Sequence, residues 1–552
     1  MSIPVEVRDV PSLEMAAHDA PVRRVTEGEA VQLSFAQEQI WFLQRLEPGL
    51  TAYNLPRVFR LTGPLSADAL ARAFDAVIER HAVLRTRFFE QGGVPMQVVE
   101  PSVSFKLELI DLSGQEPQVR ESLLDKAIDQ VVSHGFDLGR APALVARLIK
   151  LGECEHVMAV CLHHIISDAW SNPILAQGLG QAYRLALRQA GPVHLDPLPL
   201  QYVDHAVWQR ASAQAGGLDR SIDHWNTYLG EEVPALELPV DFSRPHGQSF
   251  DGAAIDFEID PSSYAALLDF CRAERCTPFV VLLAAWQVLL ARYSGQSDFA
   301  IGVPSAGRER EEVQELMGFF VTTHVYRARL KPGMTLRQLC RQVRADAIAA
   351  LNHADVPFDV LLASRKDRRE PSRSPLFQVM FGVQMADDGD ALDFAGVSAV
   401  PMDFRHQGAK YELLLDVAIG GGRARGRLEF NTQLFTEDTA RRLIGGYLRV
   451  LACVIADADH PLLALELLSR TEHEQMMAWG GGEPQYPMME PVHRLVERRV
   501  REHPDAVALV MGEKRLSYAE LNGRANRLAH RLIALGVRPE AKVGIAVERS
   551  VE

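Results

Sequence analysis

CLHHIISDAWS, residues 161–171, ends an apolar run with two adjacent histidines and sets an aspartate four positions after the second. Adjacent side chains of a strand point to opposite faces, so His163 and His164 meet different surroundings and do different jobs. One ring faces inward, the other the opposite face or a cleft. Asp168 falls where the strand gives way to a helix. A carboxylate there accepts backbone N–H bonds or pairs with a cation.

The flanking sequence is of mixed α/β type. ALVARLIKL (143–151) and HVMAVCLHHI (156–165) read as strands joined by the turn GECE, and a helix follows Asp168 to about Ala190. Upstream, Ser34 and Ser66 are placed to cap amphipathic helices that begin FAQEQIW and ADALARAF. Downstream a second set repeats the mixture: the buried helix TPFVVLLAAWQVLLARYSG, the strand DFAIGVPSAGR running into a glycine-containing loop, and further strands and helices. Two lobes of like architecture are expected.

The expected division is a flexible tail (1–29), a first lobe (30–205), a second lobe (206–467), a linker (468–491) and the truncated start of another domain (492–552). The linker carries three consecutive glycines and three prolines. The last segment has two helices, a short hairpin and a strand, KVGIAVE, too little for a core of its own.

Composition narrows the function. A chain of 552 residues with 47% hydrophobic and 24% charged residues is an ordinary globular protein of more than one domain. The formal charge of −14 and the lack of a basic stripe argue against a nucleic-acid binder, though a local basic patch could receive a phosphate-bearing ligand. No apolar run reaches the ~18 residues of a membrane span, and the N-terminus has no signal core, so a cytoplasmic protein is expected. The six cysteines form no CxxC or zinc pattern and read as buried reduced thiols, with no metal site. Trp41, Tyr202 and Trp208 read as packing residues, and RKDRREPSRSP (365–375) as a solvated loop.

His163-His164-Ile165-Ile166-Ser167-Asp168 resembles the HHxxxD motif of the condensation domains of nonribosomal peptide synthetases. Six further stretches resemble that family's motifs, in order: LSFAQEQIWFLQRLEPGLTAYNLP, RHAVLRTRF, YVDHAVWQ, the stretch from IGVPSAGRER to GFFVTT, NHADVPFD and RSPLFQVMF. LSYAELNGRANRLAHRL (516–532) resembles the first core motif of an adenylation domain. The resemblance implies an α/β fold of two chloramphenicol-acetyltransferase-like lobes, a V-shaped pseudo-dimer with a central tunnel. It also implies partner carrier domains whose phosphopantetheine arms present the reactants, a downstream adenylation domain, and no cofactor bound covalently in this chain.

In such a domain a carrier-bound aminoacyl amine attacks an acyl thioester. The α-amine has a pKa near ~8, so part of it is neutral at pH 7. A base for its remaining proton gives ~10²–10⁴-fold, whereas holding the reactants in attack geometry gives roughly 7–11 kcal/mol at best. The resemblance assigns the amine contact to His164, as base, positioner or both, with His163 packed behind. Asp168 is assigned to an ion pair with Arg308, or alternatively Arg310, that holds the loop. Ala169, Trp170, Ser171, Thr322 and His324 are candidates to line the tunnel. Ala169 departs from the family's glycine, Thr322 from its asparagine and His324 from its aliphatic residue. The donor is expected to be a fatty acyl-CoA, as in starter domains, with a peptidyl carrier as the alternative. The family's epimerisation domains fit less well, because an adenylation-like start follows. A silent recruitment module fits less well, because the whole motif is kept.

Overall fold

The computed structural model describes all residues except 1–21, 23, 366–369, 371, 386–391, 405–407, 481–489, 549 and 552. It divides into two compact units, Met1–Leu467 and Leu468–Glu552.

Two sheets organise the first unit. Eleven strands build them: β1 (Asn54–Thr62), β2 (Glu108–Asp111), β3 (Leu144–Lys150), β4 (Glu155–His163), β5 (Gly252–Ile259), β6 (Asp298–Ser305), β7 (Thr322–Arg329), β8 (Val379–Met385), β9 (Ser398–Pro401), β10 (Leu413–Gly420) and β11 (Arg423–Asn431). The first sheet runs β9-β1-β4-β3-β2 and the second β7-β6-β8-β10-β11-β5. β4 lies mid-sheet, antiparallel to β1 and β3, with Asn54 opposite His163. Its run HVMAVCLH is buried because neighbours flank both edges and the core covers it. The parallel pair β2 and β3 is linked by helix Pro117–Val132.

Helix starts follow their caps. The Ser34 side chain accepts from the Gln37 N–H and the Gln37 side chain returns the bond, and Ser66 accepts from the Ala69 N–H. In the second lobe, helix Pro278–Ser294 is buried from Val280 to Ala291. Each large side chain there contributes about 1.5–3 kcal/mol by leaving water. Among the described residues no single helix is long and apolar enough to cross a membrane.

The lobes are not consecutive stretches of chain. β8 and β10 are parallel, and parallel neighbours need a crossover. That crossover leaves its own lobe, pairs as β9 with β1, and buries Leu392, Phe394 and Val397 in the first lobe's core. Val313, Leu316, Met317, Phe319 and Phe320, from the loop after β6, enter the same core.

Other expectations are corrected. Residues 24–29 do not hang free: the Arg24 guanidinium donates to the Leu198 and Pro199 carbonyls, and the Val25 N–H to Asp204 Oδ1 at 2.6 Å. The stretch read as a linker begins with helix Arg470–Gly480, since its prolines all follow that helix; residues 481–489 lie outside the described set. Among the described residues KVGIAVE forms no strand, and the hairpin Val507–Met511/Lys514–Ser517 has no third strand beside it. Two cysteines are exposed: Cys154 in the turn before β4 and Cys453 on helix Glu437–Ala456. Of RKDRREPSRSP, the described Arg373 is not merely solvated but pairs with Glu237 at 2.6 Å.

Candidate active site

β4 ends at His163, and His164–Ile166 turn into a short 3-10 helix. The two rings part at this change of geometry. His163 has no exposed surface, and its Nδ1 accepts the Ile165 N–H at 3.2 Å. The proton is therefore on Nε2, which has no hydrogen-bond partner among the described residues. Burial, helped by the Lys410 charge, pushes His163 down to about 3. A neutral ring packed edge-on to Phe136 has no route to a reactant.

His164 borders a cavity of about 1050 Å³ whose wall comes from both lobes, including Ile40 and Tyr53 from the first and Thr322, Met380 and Asp416 from the second. Its Nδ1 lies 2.9 Å from the Ser167 carbonyl oxygen. A carbonyl only accepts, so Nδ1 carries the proton and Nε2 keeps its lone pair. Phe319 meets the ring edge at 4.8 Å and Tyr53 at 6.4 Å. Burial first, then Lys410 and His163, hold this imidazole well below the usual histidine range, so it is neutral at pH 7. A ring fixed in one tautomer with an open lone pair can accept a proton or orient a donor.

Asp168 is buried away from the cavity. Its Oδ1 accepts the Ser171 N–H at 2.8 Å and the Ser171 hydroxyl at 2.7 Å; its Oδ2 accepts the Phe320 N–H at 3.1 Å. Arg308 Nη2 reaches both oxygens, at 3.2 and 3.3 Å. Arg308 Nη1 donates to the Val313 and Leu316 carbonyls, each at 2.7 Å, and the guanidinium lies over the Phe320 ring at 4.0 Å. The pair joins the end of β4 to the loop after β6. Arg310 instead pairs with Glu312 and covers Trp208.

Of the five lining candidates, Ala169 and Thr322 border the cavity and three do not. Trp170 points outward, its Nε1 donating to the Gln314 carbonyl at 3.0 Å. Ser171 is consumed by Asp168 and by Gly318, whose N–H it accepts. His324 lies deeper along β7, buried against Trp225 with ring centres 5.6 Å apart. Trp41 is a buried packing residue; Tyr202 is buried too but also borders the cavity, its hydroxyl bonding Ser34 Oγ and donating to the Phe319 carbonyl. Trp208 departs from the packing expectation and faces the cavity.

Sequence reasoning missed Tyr53, Asp359, Lys410 and Asp416, all on the cavity wall. Burial, then the Glu38 charge, pushes Asp359 up to about 7; burial, then Glu429, pushes Asp416 up to about 6. One signal was legible. Gly382 lies inside β8 directly beside Asp416, and a Cβ there would fall 2.0 Å from Asp416 Oδ1. A glycine inside a strand marks such a close approach. No group of three His, Cys, Asp or Glu that could hold a metal ion is found among the described residues.

Known proteins resemble this chain over most of its length. Residues 27–477 match the condensation-domain family model, and residues 496–552 match that of AMP-binding enzymes. The chain is 37% identical over 536 residues to a linear gramicidin synthase of Brevibacillus parabrevis, covering 96% of this chain and 10% of that protein. It is 36% identical over 536 residues to the chondramide synthase of Chondromyces crocatus, covering 96% of this chain and 14% of that one. The chain thus spans about a tenth of the length of these curated relatives. A solved four-domain nonribosomal peptide synthetase bound to AMP and glycine superposes with a TM-score of 0.75 at 22% identity, over 92% of this chain and 39% of that one. The two-lobed fold is that of the chloramphenicol-acetyltransferase-like condensation domains, which catalyse amide-bond formation by acyl transfer. The chain therefore belongs to the condensation-domain family of nonribosomal peptide synthetases, with the start of an AMP-binding domain after it.

Proposed function

We propose that the chain joins a carrier-bound acyl donor to a carrier-bound aminoacyl acceptor, with both phosphopantetheine arms reaching the cavity and His164 at the meeting point. The observation that carries this reading is a neutral imidazole with its Nδ1–H committed to Ser167, on the wall of a cavity shared by the lobes. The acceptor nitrogen forms its bond to the thioester carbon and the C–S bond breaks. Nε2 takes the proton the nitrogen sheds and returns one to the departing sulfur. His163, Asp168 and Arg308 touch no reactant; they hold the turn that aims His164. The downstream adenylation domain is a partner within the longer enzyme, which works in the cytoplasm.

The donor is read as peptidyl. Asp359, Lys410 and Asp416 line the same space, and an alkyl chain laid against them would leave buried polar groups unpaired. A fatty acyl-CoA donor is the second reading, carried by the apolar part of the wall, Ile40, Phe319, Met380 and Leu414. One experiment separates them. The chain is mixed with an aminoacyl carrier and either a peptidyl carrier or octanoyl-CoA, and the acceptor carrier is weighed by mass spectrometry. Acyl gain from the peptidyl carrier is expected. Gain from octanoyl-CoA alone would establish the second reading, and gain from neither would overturn amide formation.

A further inference from the structure

Away from the cavity, the second lobe holds a thiol pair built by a helix end. Helix Pro261–Glu274 stops at Arg275, whose φ of 52° turns the chain back on itself. The Cys276 N–H then bonds the Cys271 carbonyl at 3.0 Å and the Arg275 N–H the Arg272 carbonyl at 3.4 Å. This is a Schellman closure, which sets the side chains of its outer two positions against each other, as a rule in an apolar contact. Here both positions are cysteines, so the closure sets one thiol against the other.

The two sulfurs are not equivalent. Cys271 is buried and Cys276 is partly exposed. The Cys271 hydrogen bond, with help from Arg344 and against burial, brings Cys276 down to about 7, whereas the same bond and burial push Cys271 up. Arg344 lies one turn beyond Cys340 on helix Leu336–Asn352. None of these residues borders the active-site cavity.

We propose that Cys271 and Cys276 form a reversible disulfide under peroxide, with Cys276 as the attacking sulfur. The Cys276 thiolate takes one peroxide oxygen, the O–O bond breaks, and hydroxide leaves a sulfenic acid. Cys271 then attacks the Cys276 sulfur; its proton and the departing hydroxide make water. The balance is two thiols and one hydrogen peroxide giving one disulfide and two waters. Two equivalents of a small thiol reverse it by exchange. The bridge closes a turn that is already closed by backbone bonds, so oxidation leaves the lobe's fold intact.

Trypsin cuts after Arg272 and Arg275 and so puts the two cysteines in different peptides. The native chain is treated with hydrogen peroxide, alkylated and digested without reductant. A linked Cys271–Cys276 peptide pair that separates on reduction is expected. Without peroxide, Cys276 should react with iodoacetamide at pH 7 about fivefold faster than the exposed Cys154 and Cys453. Cys271→Ala should remove that advantage. Oxidation of Cys276 with no link to Cys271 would overturn the proposal, and so would alkylation no faster than at the two exposed thiols.

Discussion

β4 and β6 are comparable strands in different lobes. Both are buried, both lie inside their sheets, and both run out where the lobes meet. What they deliver differs. After β4 comes His164, one nitrogen satisfied by Ser167 and the ring on the cavity wall. After β6 comes Arg308, bound to two carbonyls, a carboxylate and the Ser171 hydroxyl, and stacked on Phe320. Apart from its buried Nε, which has no hydrogen-bond partner among the described residues, the Arg308 guanidinium is filled by protein contacts and holds shape; a ring open to the cavity is available for chemistry. The contrast separates reactivity from support within one constellation.

The sharpest way to break the comparison is to remove the open group. His164→Ala should lower the amide-forming rate by about 10²–10⁴-fold and leave the melting temperature within a few degrees of the parent. Carrier-product mass spectrometry and thermal unfolding read the two effects. An unchanged rate would move the chemistry to another residue.

Removing the filled group should do the reverse. Arg308→Met leaves Asp168 buried without its cation and should cost about 3–5 kcal/mol in urea unfolding. Asp168→Asn with Arg308→Met should recover part of that loss, because no lone charge is then left buried. A single substitution that kept full stability but lost all activity would make Asp168 or Arg308 a direct participant.

The smallest test concerns His163. It is held at about 3 in the fold against an ordinary 6.5, so the unfolded chain binds the proton first as pH falls. Stability present above pH 6.5 is therefore lost progressively down to about pH 3. His81 and His205, also held at about 3 by burial, add to the same loss. The urea midpoint should fall from pH 7 to pH 5, and His163→Gln should flatten the slope by about 1 kcal/mol per pH unit. Equal slopes would show that His163 titrates normally.

Much of this was legible before any coordinates. The apolar run ending at His163 reads as a buried strand, and Ser34 and Ser66 read as caps, because these depend on neighbours a few residues away. Which side chains face the cavity was less legible. His324 and Trp170 are near the site in sequence, yet one is buried behind Trp225 and the other donates to Gln314. Lys410 and Asp416 lie on the wall without any local pattern to mark them, and only Gly382 hinted at the space Asp416 needs.

The sequence by itself determined the local order: strand, two histidines, aspartate, helix, with an arginine waiting in a loop 140 residues on. Tertiary structure decided the rest: that the ring of His164 and not His163 meets the cavity, that Arg308 and not Arg310 takes Asp168, and that β9 completes the first lobe's sheet from the second half of the chain. The physical reason is range. Caps and strand burial are settled within a turn or a pleat, whereas ion-pair choice, cavity facing and strand lending are settled by which distant surfaces exclude water together.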